Sequence, residues 1–126
     1  MTSRITAISI AALDPRRVAE FWCAALGLEL RNLDSTGADI GPAGSSWPTI
    51  EFGRVTEKKT VKNRLHLDLR ADGSTQTDEL RRLLDLGAQL VDVGQKPEST
   101  WVVLGDPEGN EFCLLSRSVQ EMPAGS

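Results

Sequence analysis

One histidine, two cysteines and no apolar run long enough to cross a bilayer set the first limits on this chain. His66 is its sole imidazole, so any chemistry that needs one depends on that residue. Cys23 and Cys113 stand at no zinc-knuckle or redox spacing. A pair of thiols so placed reads as reduced and intracellular. Basic residues are also scarce: 14 Lys and Arg face 18 Asp and Glu, a net charge of −4. A general nucleic-acid binder would need a basic face, so none is expected as a partner. The opening stretch MTSRITAISIAALDP is too polar and too short for a secretory core or a membrane span. No membrane partner is expected, and the protein reads as cytoplasmic.

What is present is an order of elements that occurs twice. In the first half an alternating strand, RITAISIAA, leads into DPRRVAEFWCAALG. Asp14 suits a helix N-cap, and Pro15 suits the first helical position, where its missing N–H costs nothing. Val18, Phe21, Trp22, Ala25 and Leu26 form one apolar stripe at helical spacing, and Gly27 ends it. The strand LELRNL follows, then a Gly/Ser/Pro-rich connection, DSTGADIGPAGSSWP, and the strand TIEFGRV. In the second half RLHLDLRA is an alternating strand, and STQTDELRRLLDLG is a helix with Leu80, Leu83 and Leu84 as its buried stripe. Gly87 ends that helix, AQLVDV is a strand, and TWVVLGDPEGNEFCLLS is two strands around a turn. Between the halves TEKKTVKNR is polar and basic, and the tail SVQEMPAGS has no periodicity and reads as frayed.

With one helix per half, each sheet can bury only one face against a helix. In KNRLHLDLRAD the alternation assigns Leu65, Leu67 and Leu69 to the helix side and His66, Asp68 and Arg70 to the opposite side. Residues on that opposite face would define function.

The stretches DPRRVAEFWCAALGLEL, NRLHLDLR and DPEGNEFCLL, in this order, resemble the vicinal oxygen chelate superfamily. That group includes glyoxalase I, bleomycin-resistance proteins and extradiol dioxygenases. The resemblance spans residues 4–117. It implies an α+β fold of two βαβββ modules, paired curled sheets with one helix on each around an open-barrel cavity, and a homodimer. Module one would cover about 4–56, a linker about 57–62 and module two about 63–117, with 118–126 as a tail. Metal-using members carry four ligands, from the first and last strands of each module. Matched motif by motif, those positions fall here on Ala7, Glu51, His66 and Cys113. Alanine has no donor atom, so the set is incomplete.

Each of these residues also has a plainer reading. Cys113 suits a small buried hydrophobe. Trp22 suits the helix core, while Trp47 and Trp101 are candidate pocket walls that packing alone would also explain. Lys58, Lys59, Lys62 and Arg64 suit a solvated linker, or a rim that attracts an anion. Asp68 and Arg70 suit a mutual salt bridge.

Three functions follow. The first is a small-molecule binding protein whose cavity is lined by Glu51, His66, Asp68, Cys113, Trp47 and Trp101, with no cofactor. The second is a lyase, isomerase or oxygenase holding Zn, Ni, Fe or Mn through His66, Glu51 and Cys113. The third is metal-free acid–base catalysis by His66 and Glu51.

Overall fold

The computed structural model describes residues 1–45, 48–92 and 99–122. They form two compact units, Met1–Lys58 and Lys59–Ser126.

In the first unit β1 (Ala7–Ala12) runs into α1 (Pro15–Leu26), followed by β2 (Glu29–Asp34), β3 (Gly37–Gly41) and β4 (Thr49–Arg54). The Asp14 carboxylate accepts the Arg17 N–H and caps α1, with Pro15 in its first turn. Gly27 ends the helix at φ 69°, the left-handed region that glycine enters cheaply. The sheet order is β1-β4-β3-β2, with β1 and β4 parallel and the other pairs antiparallel. Ile50 and Phe52 of β4 are buried with Ala38 and Ile40 of β3 and with Val18, Phe21 and Trp22 of α1. Phe21 and Trp22 meet edge to face, ring centroids 5.1 Å apart, as aromatic quadrupoles favour.

β3 lies inside the stretch that reads as a connection in sequence. Two glycines bracket Ala38, Asp39 and Ile40, which hides the strand from a propensity reading. Gly37 is needed there for space, because a Cβ would strike the Phe52 carbonyl of β4.

The second unit repeats the plan with β5 (Leu67–Leu69), α2 (Gln76–Leu86), β6 (Gln89–Leu90), β7 (Val102–Gly105) and β8 (Glu111–Leu114). The sheet order is β5-β8-β7-β6, with β5 and β8 parallel. Thr75 caps α2 by accepting the Asp78 N–H. Leu67, Leu69, Phe112 and Leu114 share one face, and Phe112 and Leu114 are fully buried.

Three expectations need correction in this unit. β5 is shorter than the alternation implies, and Leu65 stands exposed ahead of it. Leu84 is also partly exposed, so Leu83 alone of its stripe is fully buried. The tail is tied down through residue 122. The Val119 N–H donates to the Ala71 carbonyl at 2.8 Å, Gln120 bonds both the Asp72 carboxylate and the Gly73 N–H, and Ser118 is buried. These are isolated backbone and side-chain hydrogen bonds between distant segments, which leave no periodic signal in sequence.

The turn DPEGN orders β7 against β8. Asp106 is 2% exposed, and its carboxylate accepts from the Glu108 and Asn110 N–H groups and from the Asn110 side-chain amide. The Gly109 N–H closes the turn onto the Asp106 carbonyl at 2.8 Å, and Gly109 takes φ 85°. A buried carboxylate is tolerable here because its own turn supplies the donors.

Candidate functional site

The polar face of the second sheet is built from two paired strands. Asp68 of β5 and Cys113 of β8 are register partners, each alternating with residues of the apolar face. His66 precedes β5, and its Nδ1 lies 3.1 Å from Asp68 Oδ1. One donor atom from each of His66, Asp68 and Cys113 falls within 4.8 Å of the other two. The imidazole and carboxylate are about half exposed, whereas Cys113 is 7% exposed. Two reachable polar groups therefore stand over one anchored thiol.

The electrostatics keep that thiol protonated. Burial pushes the Cys113 pKa up, and the charge of Asp68, which also accepts the thiol's hydrogen bond, pushes it further. The Lys62 ammonium opposes this and does not prevail. A thiol so held is a poor nucleophile, because the thiolate is the attacking species.

The basic linker is partly fastened beside this face. Lys59 Nζ lies 2.7 Å from Glu111 Oε1, and the Asn63 N–H donates to Glu111 Oε2 at 3.1 Å. Burial alone would raise the Glu111 carboxyl. The bonds from Lys59 and Asn63 together outweigh it and hold the carboxyl below its usual range. Lys58, Lys62 and Arg64 are exposed. The expected Asp68–Arg70 salt bridge does not describe the structure: Asp68 faces His66, and Arg70 donates to the Arg117 carbonyl.

In the first unit the matching face carries Ser9 and Glu51, register partners, with the Ser9 hydroxyl donating to Glu51 Oε2 at 3.3 Å. Ala7 pairs with Thr49 on the same face. The Thr49 hydroxyl accepts from Arg31, whose guanidinium also bonds the Pro42 and Ser45 carbonyls. Arg31 therefore pins the segment after β3, a role the sequence did not signal. Gly41 makes room for it, since a Cβ would strike the guanidinium. Trp22 is core, Trp101 stands 42% exposed just before β7, and Trp47 lies outside the described residues.

Residues 7–115 match the sequence profile of the glyoxalase-like domain. The chain belongs to that family. Solved structures agree on the fold of this glyoxalase-like protein. The fosfomycin resistance protein FosX of Mesorhizobium loti is 12% identical, with a TM-score of 0.68 over 96% of this chain and 98% of its own. A glyoxalase/bleomycin resistance protein/dioxygenase family enzyme of Burkholderia phytofirmans PsJN is 17% identical, with a TM-score of 0.63 over 89% and 97%. UcmS2 is 21% identical, with a TM-score of 0.60 over 90% and 98%. Among curated proteins none matches the sequence. Two mixed four-stranded sheets, each with one helix, reproduce the paired βαβββ plan.

The four-ligand metal set that the resemblance implies does not fit this glyoxalase-like chain. Ala7 presents a methyl group, and its register partner Thr49 is engaged by Arg31. The donors that do converge, His66, Asp68 and Cys113, all belong to the second unit, with Asp68 in place of Glu51. Among the described residues no helix is long and apolar enough to cross a membrane.

Proposed function

We propose that this glyoxalase-like protein binds a small organic molecule on the polar face around His66, Asp68 and Cys113, without the family's four-ligand metal. One observation carries the reading: an accessible imidazole and carboxylate, 3.1 Å apart, stand on a sheet face whose opposite side is buried core. His66 can donate or accept and Asp68 accepts, so together they suit a ligand bearing neighbouring oxygens and hydroxyls. Ala7 supports the absence of the four-ligand centre. Relatives of the same fold include a fosfomycin resistance protein, which makes fosfomycin a reasonable first probe.

Amide spectra of the labelled chain, recorded with chelator present, test this against fosfomycin and a panel of small hydroxy and keto acids. The expected result is saturable shifts at residues 66–68 and 112–114. No saturable shift with any probe, or shifts confined to other strands, would overturn the reading. A homodimer and a cytoplasmic location fit this reading, and sedimentation and cell fractionation test them.

A further inference from the structure

We propose that the small molecule bound on this face is an organic acid, whose carboxylate or phosphonate oxygens are taken by Lys62, and that the Lys59–Glu111 pair holds Lys62 in place. This rests on the reading that the face around His66 binds a small molecule, and adds the charge of that molecule to it.

The placement of Lys62 comes from its neighbours. Residues 55–66 belong to no helix or strand, yet the segment is fastened at two points to one side chain. Lys59 Nζ lies 2.7 Å from Glu111 Oε1, and the Asn63 N–H donates to Glu111 Oε2 at 3.1 Å. The Asn63 side-chain amide donates to Asn110 Oδ1 at 3.3 Å, which ties the segment to the DPEGN turn as well. Lys62 directly precedes Asn63, so its Cα lies within about 6 Å of the Glu111 carboxylate. Glu111 and Cys113 flank the buried Phe112 on β8, so both belong to the polar face, with Cα atoms about 7 Å apart. The four-carbon stem of Lys62 therefore starts at the edge of the face that carries Cys113, Asp68 and His66.

The charge of that edge is positive. Lys59 and Glu111 cancel each other, with side chains only 23% and 9% exposed. Lys59 is thus spent and takes no part in a rim that attracts an anion. Asp68 is engaged by His66. Lys62 and Arg64 are exposed and pair with no carboxylate among the described residues. Taking a lysine and a glutamate out of water is costly, and a linker that needed only solvation would not require it. The cost is understandable where the residue between two fastened points must be held.

Asp68 orients the acid. Its carboxylate repels an anionic group and accepts from a hydroxyl. The acidic end of the ligand therefore lies toward Lys62, and its neighbouring hydroxyl or carbonyl oxygen toward His66. An ammonium takes acid oxygens by charge-assisted hydrogen bonds, stronger than those a neutral amide would make.

The test compares lactate with lactamide and mandelate with mandelamide, pairs alike in shape that differ in charge, with fosfomycin as the phosphonate. Binding to the full chain is read from amide shifts at residues 66–68 and 112–114. An acid should bind about tenfold or more tightly than its amide. Whether a carboxylate or fosfomycin binds more tightly separates the two kinds of acid. Lys62→Gln should weaken the acid about fivefold or more and leave the amide within about twofold. Lys58→Gln makes the same charge change outside the fastened segment and should leave the acid within about twofold. Lys59→Met should lose most of the preference for acid over amide, and Lys59→Arg should keep it. Thermal unfolding of each variant reports whether it folds. Equal affinity for acid and amide overturns the proposal and leaves the small-molecule reading standing. So does a preference that survives Lys62→Gln, or one that falls as far in Lys58→Gln. A preference untouched in Lys59→Met overturns the role of the Lys59–Glu111 pair. No saturable shift with acid, phosphonate or amide overturns both readings together.

Discussion

Asp68 and Cys113 face each other across the parallel pair of β5 and β8, a carboxylate in register with a nearly buried thiol. Their neighbourhood is fixed by backbone pairing, so it survives any side-chain motion. A second carboxylate placed at 113 would itself be buried and would oppose the charge of the half-exposed Asp68. Cys113→Asp is expected to lower the unfolding free energy by about 2–4 kcal/mol, against about 1 kcal/mol for Cys113→Ser. Urea denaturation at pH 7 compares the two, and equal losses would contradict the enforced contact.

The Asp106 carboxylate serves as the hub of the β7–β8 turn, since it is buried and bonded to both Glu108 and Asn110. Asp106→Ala strands those donors and should cost about 2–4 kcal/mol. Chemical denaturation measures it, and a loss well under 1 kcal/mol would assign the ordering of the turn to Pro107 and Gly109 instead.

Glu111 gives a pH signature. Its carboxyl is held below the usual range in the folded chain, so its contribution is present above the unfolded value of about 4.3 and is lost as pH falls through the folded value. Lys59→Met should destabilise by about 1–2 kcal/mol at pH 7, discounted because Lys59 keeps some exposure. The difference from the parent chain should shrink below about pH 4. A difference that stays constant from neutral to acid pH would place the effect in packing and not in the ion pair.

The segment 118–122 closes onto residues 71–73 through Val119 and Gln120. A chain ended at Arg117 should lose about 1–2 kcal/mol of stability. In the parent chain the Val119 amide should exchange slowly with deuterium. Free exchange at that amide would contradict the fastening.

Periodicity and capping made much of the fold legible. Asp14, Pro15 and Gly27 bound α1 as the sequence implies, and Ile50 and Phe52 point to the core while Glu51 does not. β3 is hidden because two glycines carry no pattern, and the alternation overextends β5 because it begins at Leu65, ahead of the first paired residue Leu67. His66, Asp68 and Cys113 were each legible as residues of one polar face. Their convergence was not, since the register of β5 on β8 sets it and register depends on backbone pairing between distant segments. Arg31 was invisible for the same reason: its partners lie 11 to 18 residues away and include backbone carbonyls.

The central claim is that the face carrying His66 is a binding site for a small organic molecule. Its most direct test is the affinity of the tightest probe from the amide-shift screen for the parent chain and for His66→Ala. The half-exposed imidazole contributes little to folding, so the unfolding free energy should stay within about 0.5 kcal/mol of the parent. The account predicts an affinity loss of about tenfold or more at that unchanged stability. An affinity unchanged in His66→Ala would contradict it.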